Sequence, residues 1–495
     1  MSEKTPICGG FQVGGKVEEL EAQKQIKWHH MKMRDDGGSR GRKNRRSWPG
    51  GKLKRAGHIL AMVAIVLLVF FGASTPHHLH SGFHHAKLEE VIEKNYTTAG
   101  LEEERLGQEV FNCDRSHFRT DVCNVRGNIR MNSINHTFVL YAVDSRTNLG
   151  EEKVKPYTRK WEKSSMDTIH EVTLQSVPAS QTSAIVCDVQ HHVPGVVFST
   201  GGYTGNLYHE FHDGLIPLFI TTQHLKREVV FVISELHDWW FRKYKNVIQE
   251  MTNYPLIDFE RESQVHCFPE LTVGLHIHGE QSIDPMLMPD HKSIWDFQAL
   301  LRHAYRPSSH EKQENWQLKA SRAKGMPQLT ILIRPHTRVL LNIQQIVEVA
   351  KKVGFQVNLL KPLRETELKR VFWMLDKSDV LMGVHGAALT HFLFMRPGSV
   401  FIQIIPLGTD WAAFTYYGEP ATKLGLQYLP YKIEAAESSL SSKYNSTDPI
   451  LTNPASIVEK GWWEMKKIYL KAQDVQPSLL RMKKLLQKAK SLIHP

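Results

Sequence analysis

The sequence predicts an α/β protein of two Rossmann-like domains that face a cleft, preceded by one transmembrane helix. Three observations lead to this fold class. Residues 326–495 alternate continuous apolar strands with amphipathic helices, residues 111–325 repeat the pattern more weakly, and residues 56–75 form an apolar run. Because 495 residues are too many for one ordinary domain, more than one folded domain is expected.

The C-terminal domain, residues 326–495, has the clearest periodicity. Strands are predicted where apolar residues run without interruption, and helices where apolar residues recur every three or four positions. The predicted order is strand 328–335, helix 342–353, strand 357–360, helix 367–375, strand 380–384, short helix 385–395, strand 400–406 and closing helix 475–493. Such an alternation predicts a parallel sheet with both faces covered.

The N-terminal domain, residues 111–325, gives fewer signals. Its clearest pieces are a strand at 229–233, a helical stretch near 207–225 and alternating segments around 273–277. A polar interruption at 306–327 separates it from the second domain.

The start of the chain predicts a membrane anchor. Residues 1–55 hold fourteen Lys and Arg against six Asp and Glu, a net charge of +8 out of +11 for the whole chain. A span at residues 56–75 follows, near the ~20 residues that cross a bilayer, and residues 76–110 read as a stem. The basic flank keeps the N-terminus cytosolic and sends the remainder into the lumen. A cleaved signal peptide, the alternative, would need a short basic region at the very start.

Other features agree with a lumenal body. The residues after position 55 carry a net charge of only +3 and no basic stripe interleaved with aromatic residues, so no nucleic-acid partner is expected. Candidate N-glycosylation sites are Asn95, Asn135 and Asn445. Four lumenal cysteines allow three disulfide pairings. The favoured pairing joins Cys113 to Cys123 and Cys187 to Cys267.

The segment YHEFHD contains the first candidate catalytic residues. Zinc proteases use H-E-x-x-H, in which two histidines one helical turn apart share the metal. Here His212 follows His209 at i+3, so no metal site is predicted. On a helix, Asn206, Glu210 and Asp213 would share one face with His209, and the His209–Asp213 pair suits a general base. A solvated face with an i,i+4 ion pair is the alternative.

Two further motifs follow predicted strands of the C-terminal domain, where ligands of parallel sheets bind. RPHTRVLLN supplies Arg334, Arg338 and Asn342. Paired guanidinium groups suit a diphosphate, although Arg338 as a surface charge and Asn342 as a helix N-cap remain alternatives. GVHGAAL supplies His385, Gly386 and Ala387. Small residues at a helix start let the backbone approach an anion, whereas a structural role is the alternative for His385.

Motifs for common cofactors are absent from the sequence. The 495 residues contain no G-x-x-x-x-G-K-[ST], no G-x-G-x-x-G and no D-x-D. No nicotinamide or flavin cofactor is therefore expected. Without D-x-D, arginines and a helix N-terminus can still neutralise a diphosphate that leaves during a transfer reaction. A divalent metal is therefore not obligatory, and its use is left open.

Three motifs together resemble one known family. R-x3-R-x3-N, GVHGAALTHFLFMRPGS and N-x2-H-x-F-x-D-x3-PLF strongly resemble plant members of glycosyltransferase family 61. The similarity covers about residues 113–495, including CDRSHFRTDVCNVRGNIR and GTDWAAFTYYGEPATKLGLQYLPY. One departure is Pro335 in RPHTR, where relatives often carry another residue.

The resemblance implies a GT-B fold, an inverting mechanism and a type II Golgi membrane protein with a lumenal catalytic body. The clade that it resembles moves arabinofuranose or xylose from UDP-arabinofuranose or UDP-xylose onto the xylan backbone or its side chains. The alternatives are an N-glycan core β-1,2-xylosyltransferase, or an inactive relative that binds glycans or scaffolds complexes of other Golgi transferases.

The resemblance and the residues together assign roles to the candidate positions. Catalysis is expected from Asp213 and His209. Donor binding is expected from Arg334, Arg338, Asn342, His385, Gly386 and Ala387. The acceptor or cleft residues are expected to be Asn206, Glu210, Trp411 and Tyr416, with Trp239 and Trp240 as further stacking candidates.

Overall fold

The structure is a computed structural model that describes residues 111–142, 150–179, 185–307 and 325–493. The predicted cytosolic tail, span and stem lie outside these ranges, and so does Asn95. Among the described residues, no helix is both long and apolar enough to cross a bilayer. The described part is a mixed α/β structure with two sheets.

The first sheet belongs to the N-terminal half. Its strands are β1 (Asn112–Asp114), β2 (Val122–Asn132), β3 (Thr137–Ala142), β4 (Glu151–Val154), β5 (Val172–Pro178), β6 (Val189–Gln190), β7 (Gly195–Ser199), β8 (Val230–Ser234), β9 (Ile257–Asp258) and β10 (His266–Val273). The strand order is β4-β5-β3-β2-β10-β7-β8-β9, with β1 beside β2 and β6 beside β10.

This first sheet is mixed, whereas the Rossmann-like domain predicted for residues 111–325 would have a mostly parallel sheet. Strands β7, β8, β9 and β10 run parallel, but β2 is antiparallel to both β3 and β10, and β4 is antiparallel to β5. The sheet also curls over itself, since Phe138 of β3 packs against Phe259 beyond β9 with ring centroids 5.2 Å apart. The start of β3 and the ends of β8 and β9 are thereby brought close together.

The second sheet belongs to the C-terminal half and is entirely parallel. Its strands are β11 (Gln328–Leu332), β12 (Gln356–Leu360), β13 (Val380–Val384), β14 (Val400–Ile405) and β15 (Gln427–Lys432), in the order β12-β11-β13-β14-β15. The sequence pattern predicted the first four. The chain leaves β11 toward β12 on one side and returns to β13 on the other, so the carboxyl ends of β11 and β13 form the switch point where ligands bind in such sheets.

Helices cover both sheets. The α-helices are Lys163–Met166, Leu207–His209, Ile216–Thr222, Asp238–Gln249, Ile294–Ala304, Ile343–Val353, Leu368–Asp376, Asp410–Ala413, Glu419–Lys423, Pro449–Thr452, Pro454–Val458, Trp462–Met465 and Leu479–Ile493. The 3₁₀ segments are Gln223–Leu225, Pro285–Leu287, Ala387–Phe394, Ala435–Glu437 and Ser439–Ser442. The π-helical segments are Glu210–Leu215, Phe414–Gly418 and Lys466–Lys471.

One buried apolar cluster joins the two halves. The rings of Phe211 and Phe394 pack with centroids 6.0 Å apart, and Gln298 Nε2 donates to the carbonyl of Met395 at 2.6 Å. Burying an aromatic side chain of this size contributes roughly 1.5–3 kcal/mol, so this core holds the facing edges of the two sheets in fixed positions.

The cysteines and sequons lie at the periphery of this core. The structure joins Cys113 to Cys123 and Cys187 to Cys267, the pairing favoured from the sequence. The two described sequon residues, Asn135 and Asn445, are exposed. Both positions are therefore accessible to a glycosylating enzyme.

Candidate active site

The segment predicted to be helical from Asn206 contains a π-helical turn. The Asn206 side chain accepts the N–H of Tyr208 at 3.1 Å and caps Leu207–His209, after which Glu210–Leu215 widens into a π-helix. Such segments are rare and occur frequently at functional sites. The widened turn buries Asp213 beside His209.

His209 and Asp213 form a hydrogen-bonded pair, with Nδ1 of the histidine 2.6 Å from Oδ2 of the aspartate. Burial alone would raise the pKa of Asp213, but the charge of Arg159 and the interaction with His209 outweigh it and hold this pKa well below its usual range. Burial lowers the pKa of His209, and the nearby Asp213 offsets only part of that effect. A neutral His209 therefore donates its Nδ1 proton to an ionised Asp213, and its Nε2 lone pair is able to accept a proton.

Three residues that the sequence did not point to hold this pair in place. Arg159 Nη1 lies 3.3 Å from Asp213 Oδ2, and the Arg159 side chain also pairs with Glu162. The Tyr203 ring stacks on His209 with centroids 4.3 Å apart, and its hydroxyl donates to Glu162. The imidazole plane of His209 is fixed by these contacts.

His212 has a different environment, although it lies in the same π-turn. The N–H of Gln281 donates to its Nδ1 at 3.2 Å, and its Nε2 lies 2.9 Å from Arg119 Nη1 and 3.0 Å from Glu280 Oε2. Glu280 also pairs with Arg119 and accepts the hydroxyl of Tyr208. Because both nitrogens of His212 are engaged within the protein, this histidine offers no ligand atom to a metal ion.

Glu210 turns away from His209, although both were predicted on one helix face. Its carboxylate accepts the N–H of Gly205 and the indole N–H of Trp240, each at 2.6 Å. Trp240 is 2% exposed, so it has no free face for a sugar, contrary to its suggested stacking role. Burial raises the pKa of Glu210 from its usual 4.5 to about 7.

The raised pKa of Glu210 predicts a pH-dependent stability difference from the Glu210→Gln variant. A carboxyl whose pKa is higher in the folded state contributes stability below about pH 4.5 and loses it as the pH rises through about 7. The free energy of unfolding of the variant, relative to that of the wild type, should therefore rise by on the order of 3 kcal/mol between these two pH values. Chemical unfolding of both proteins at pH 5 and pH 8 measures the difference, and a pH-independent difference would contradict the assignment.

Arg334 and Arg338 lie together beyond the carboxyl end of β11. Arg334 Nε donates to the carbonyl of Thr337 at 2.9 Å, and Arg338 Nη1 donates to the carbonyl of His385 at 2.9 Å. Both guanidinium groups pack against Gly386, whose φ of 148° and missing side chain permit the approach, since a Cβ there would collide with Arg334. The arginines and the GVHGAAL loop thus meet at the switch point of the sheet.

Arg334 and Arg338 form a cationic site that has no counterion within the described part of the chain. Burial lowers the pKa of both, and the charge of Arg334 lowers that of Arg338 further. Neither makes an ion pair with an Asp or Glu of the described ranges. Two buried polar atoms here also lack hydrogen-bond partners among the described residues, Arg338 Nε and Asn342 Oδ1, while Asn342 Nδ2 donates to Pro477 at 2.8 Å. An anion with several oxygen atoms matches this arrangement.

His385 lies beside the arginines and is neutral. Gln403 Nε2 donates to His385 Nδ1 at 3.0 Å, and the Gln403 carbonyl in turn accepts the hydroxyl of Tyr428 at 2.7 Å. Burial, together with the charges of Arg338 and Arg334, places the pKa of His385 well below its usual range. Its proton therefore resides on Nε2, which is a hydrogen-bond donor.

A row of aromatic rings connects the arginine pair and His385 to the His209–Asp213 pair. The ring centroids are 5.4 Å apart between His385 and Tyr417, 6.0 Å between Tyr417 and Tyr208, and 5.2 Å between Tyr208 and His209. Tyr417 lies in the π-helical segment Phe414–Gly418 of the C-terminal half. A continuous row of packed rings thus links the arginine pair to the His209–Asp213 pair.

The remaining predicted residues are Tyr416, Trp411, Asn206 and Ala387. Tyr416 packs on Tyr208 at 5.3 Å and on Trp411 at 5.5 Å, and the indole N–H of Trp411 has no partner among the described residues. Asn206 and Ala387 line a common cavity of about 390 Å³ together with Trp239, Lys243 and Arg364.

A cavity of about 1040 Å³ lies elsewhere and is lined by none of the predicted site residues. His117, His276 and Trp295 are among its walls. The arginine pair and His209 do not line this cavity either, so it is separate from the candidate active site.

His209 is neutral and oriented, and the arginine pair suits an anion. Together these features suit a transferase with a phosphorylated donor. Comparison with known proteins identifies the class. Residues 207–402 match the family Glycosyltransferase 61. The chain is 47% identical over 407 residues to a xylan glycosyltransferase of Arabidopsis thaliana. The aligned region covers 80% of this chain and 82% of the relative.

Two proteins of Oryza sativa subsp. japonica are also similar. An alpha-1,3-arabinosyltransferase is 37% identical over 377 residues, covering 76% of this chain and 63% of its own. A beta-1,2-xylosyltransferase is 35% identical over 398 residues, covering 77% of this chain and 84% of its own. The chain therefore belongs to glycosyltransferase family 61, and the resemblance seen in its motifs is confirmed.

Proposed function

We propose that the chain is an inverting glycosyltransferase that moves a pentose, arabinofuranose or xylose, from a UDP-sugar onto the xylan backbone or its side chains. One observation carries the proposal: Arg334 and Arg338 have no counterion among the described residues and lie across a row of rings from the oriented His209. The relatives described above are a xylan glycosyltransferase, an arabinosyltransferase and a xylosyltransferase, which supports a pentose donor and a xylan acceptor.

The donor diphosphate binds at the carboxyl ends of β11 and β13. Its negative charge supplies a counterion for Arg334 and Arg338, and its oxygens accept hydrogen bonds from the guanidinium groups and from His385 Nε2–H. Asn342 and the backbone of Gly386 and Ala387 complete this surface. Two arginine charges stabilise the diphosphate as it leaves, so this scheme needs no metal cofactor.

Catalysis is a single displacement at the anomeric carbon. The acceptor hydroxyl oxygen forms a bond to that carbon while the bond to the diphosphate breaks, and the leaving UDP takes the bonding electrons. His209 Nε2 accepts the hydroxyl proton, and Asp213 stabilises the imidazolium that forms. Proton transfer of this kind contributes about 10²–10⁴ to the rate.

The acceptor lies beside the aromatic residues between the two sheets. Tyr416 and Trp411 contact each other near Tyr208, and the unpartnered indole N–H of Trp411 suits a sugar oxygen. Xylan is a neutral polymer, which fits a folded part with little net charge. Because arabinofuranose and xylose differ mainly in ring form and hydroxyl placement, both donors belong in the test.

The proposal includes the architecture and the location. Residues 111–325 and 326–495 are the acceptor and donor domains of a GT-B arrangement, and the site lies between them. Residues 56–75 anchor the chain in the Golgi membrane as a single-pass type II protein with a lumenal body, and complexes with other Golgi transferases are compatible with this location. The basic tail and the sequons at Asn135 and Asn445 support it.

Incubation of the purified full chain with each UDP-pentose and with either xylo-oligosaccharides or an N-glycan as acceptor tests the proposed activity. We expect a product heavier by one pentose with one of the two donors, detected by mass spectrometry. The Arg338→Ala variant serves as the matched control and should give little product at the same donor concentration. Transfer to an N-glycan and not to xylan would refute the acceptor assignment, and no transfer from either donor would refute the enzyme assignment.

A further inference from the structure

Three potential metal ligands meet at the curled end of the first sheet, outside the site described above, and Glu235 adjoins them. The ligand atoms of His136, His170 and Glu260 all lie within 4.8 Å of one another. Glu260 Oε1 is 3.5 Å from His136 Nε2 and 3.4 Å from His170 Nδ1. Glu235 Oε1 is 3.0 Å from the same nitrogen of His170. Two imidazoles and one carboxylate thus converge, and the carboxylate of Glu235 lies beside His170.

The cluster is assembled from distant parts of the chain. His136 ends the turn before β3 and His170 precedes β5, whereas Glu235 follows β8 and Glu260 follows β9. The curl of the sheet brings these positions together, as the packing of Phe138 on Phe259 shows. No sequence motif marks the cluster, since its members are spread over more than a hundred residues.

Backbone conformation at two of the four positions favours a role for the side chains. His136 has a φ of 48° and Glu235 a φ of 53°, both in the left-handed region. A residue with a Cβ is strained there by about 1–3 kcal/mol, and glycine would avoid this cost. Strain of this kind concentrates at functional sites, and here it coincides with two potential ligands.

The surroundings of the carboxylates resemble an outer ligand shell. The hydroxyl of Ser199 donates to Glu235, the hydroxyl of Ser234 donates to Glu260 at 2.7 Å, and the N–H of Glu235 donates to Glu260 at 3.1 Å. Such bonds orient metal-binding carboxylates. Within the described ranges, the buried Nε2 of His136 has no hydrogen-bond partner, so it is available as a ligand.

We propose that His136, His170 and Glu260, with Glu235 as the fourth donor, bind one Zn²⁺ ion. Imidazole nitrogens and carboxylate oxygens are zinc ligands, whereas Ca²⁺ and Mg²⁺ prefer oxygen alone. The exposed faces of His170 and Glu260 and an adjoining cavity of about 410 Å³ give the ion access from solvent. The ion ties the turn before β3 to the segments after β8 and β9. Its role is structural and independent of the donor site.

Zinc titration of the purified full chain tests this site. Because the segment HHLHSGFHH also contains histidines, the binding stoichiometry of the wild type is compared with that of His136→Asn and His170→Ala. Asparagine tolerates the left-handed conformation, and it leaves the sequon of Asn135 intact. We expect each variant to bind one equivalent fewer at micromolar zinc. We also expect zinc to raise the unfolding temperature of the wild type by at least about 2 °C, and that of neither variant.

His303→Ala is the matched control, because His303 pairs with Glu250 at 2.6 Å but has no second histidine beside it. This variant should bind zinc as the wild type does. The proposal is overturned if His136→Asn and His170→Ala bind as many equivalents as the wild type, or if zinc stabilises them equally. Should one variant fail to fold, the stoichiometry of the other still decides.

Discussion

Replacing Arg338 with alanine is expected to lower the affinity for UDP by about 10- to 150-fold, because a hydrogen bond to a charged group contributes about 1.5–3 kcal/mol. The same change should not lower the unfolding temperature of the ligand-free protein. Burial and the neighbouring Arg334 lower the pKa of Arg338, which means that its charge is unfavourable in the folded state without an anion.

Calorimetric titration with UDP and thermal unfolding without ligand provide the two measurements. Arg370→Ala is the matched control, since Arg370 lies in the same half, is exposed and pairs with Glu367 at 3.3 Å. It should leave the UDP affinity unchanged. An Arg338→Ala protein that binds UDP as tightly as the wild type would remove the arginine pair from the donor site.

Replacing His209 with alanine is expected to lower kcat by about 10²–10⁴ while UDP affinity stays within a few-fold of the wild type. The imidazole accepts the acceptor proton but does not touch the diphosphate in the proposed mechanism. Initial rates at saturating donor measure the effect, and His303→Ala, which removes an exposed histidine, is the control. Full turnover by His209→Ala would assign the base to another group.

The Asp213→Asn variant separates a positioning role from a structural one. Asp213 accepts the Nδ1 proton of His209 and raises the histidine pKa against the effect of burial. Without that charge the pKa of His209 falls, so the acid limb of the pH–kcat profile should move to lower pH while kcat itself decreases. An unchanged profile with reduced protein stability would mean that Asp213 only supports the fold.

The C-terminal sheet was predictable because its strands are buried on both faces. Val380–Val384 and Val400–Ile405 read as uninterrupted apolar runs, and Ile343–Val353 has an apolar stripe closed by Gly354 at a φ of 101°. The positions of Arg334, Arg338 and His385 followed from these strands, since strand ends share one edge of the sheet.

The first sheet was not predictable in the same way. Strand β2 contains Arg126, Gly127 and Asn128 in its middle, and β4 is the polar run EEKV. Half-exposed strands with such residues lack the regular alternation on which a strand prediction depends. The i,i+4 spacing of His209 and Asp213 correctly predicted that they are neighbours. A helix of 3.6 residues per turn does not represent the π-turn, however, so the separation of Glu210 from this pair was not predicted.

Residues that hold His209 in place came from irregular segments. Nothing in the sequence associated Arg159, Glu162 or Tyr203 with the π-turn. Their contacts depend on how the loops of the first sheet fold over helix Leu207–His209. Such pairings are set by tertiary structure and leave no periodic pattern.

The central claim is that the second sheet binds the donor while the π-turn of the first half supplies the base. Parallel titration of UDP into His209→Ala and Arg338→Ala, with turnover measured on the same samples, tests it most directly. We expect His209→Ala to bind UDP like the wild type without turning over, and Arg338→Ala to lose UDP affinity. Equal UDP affinity in both variants, or loss of UDP binding in His209→Ala alone, would contradict this division of the site.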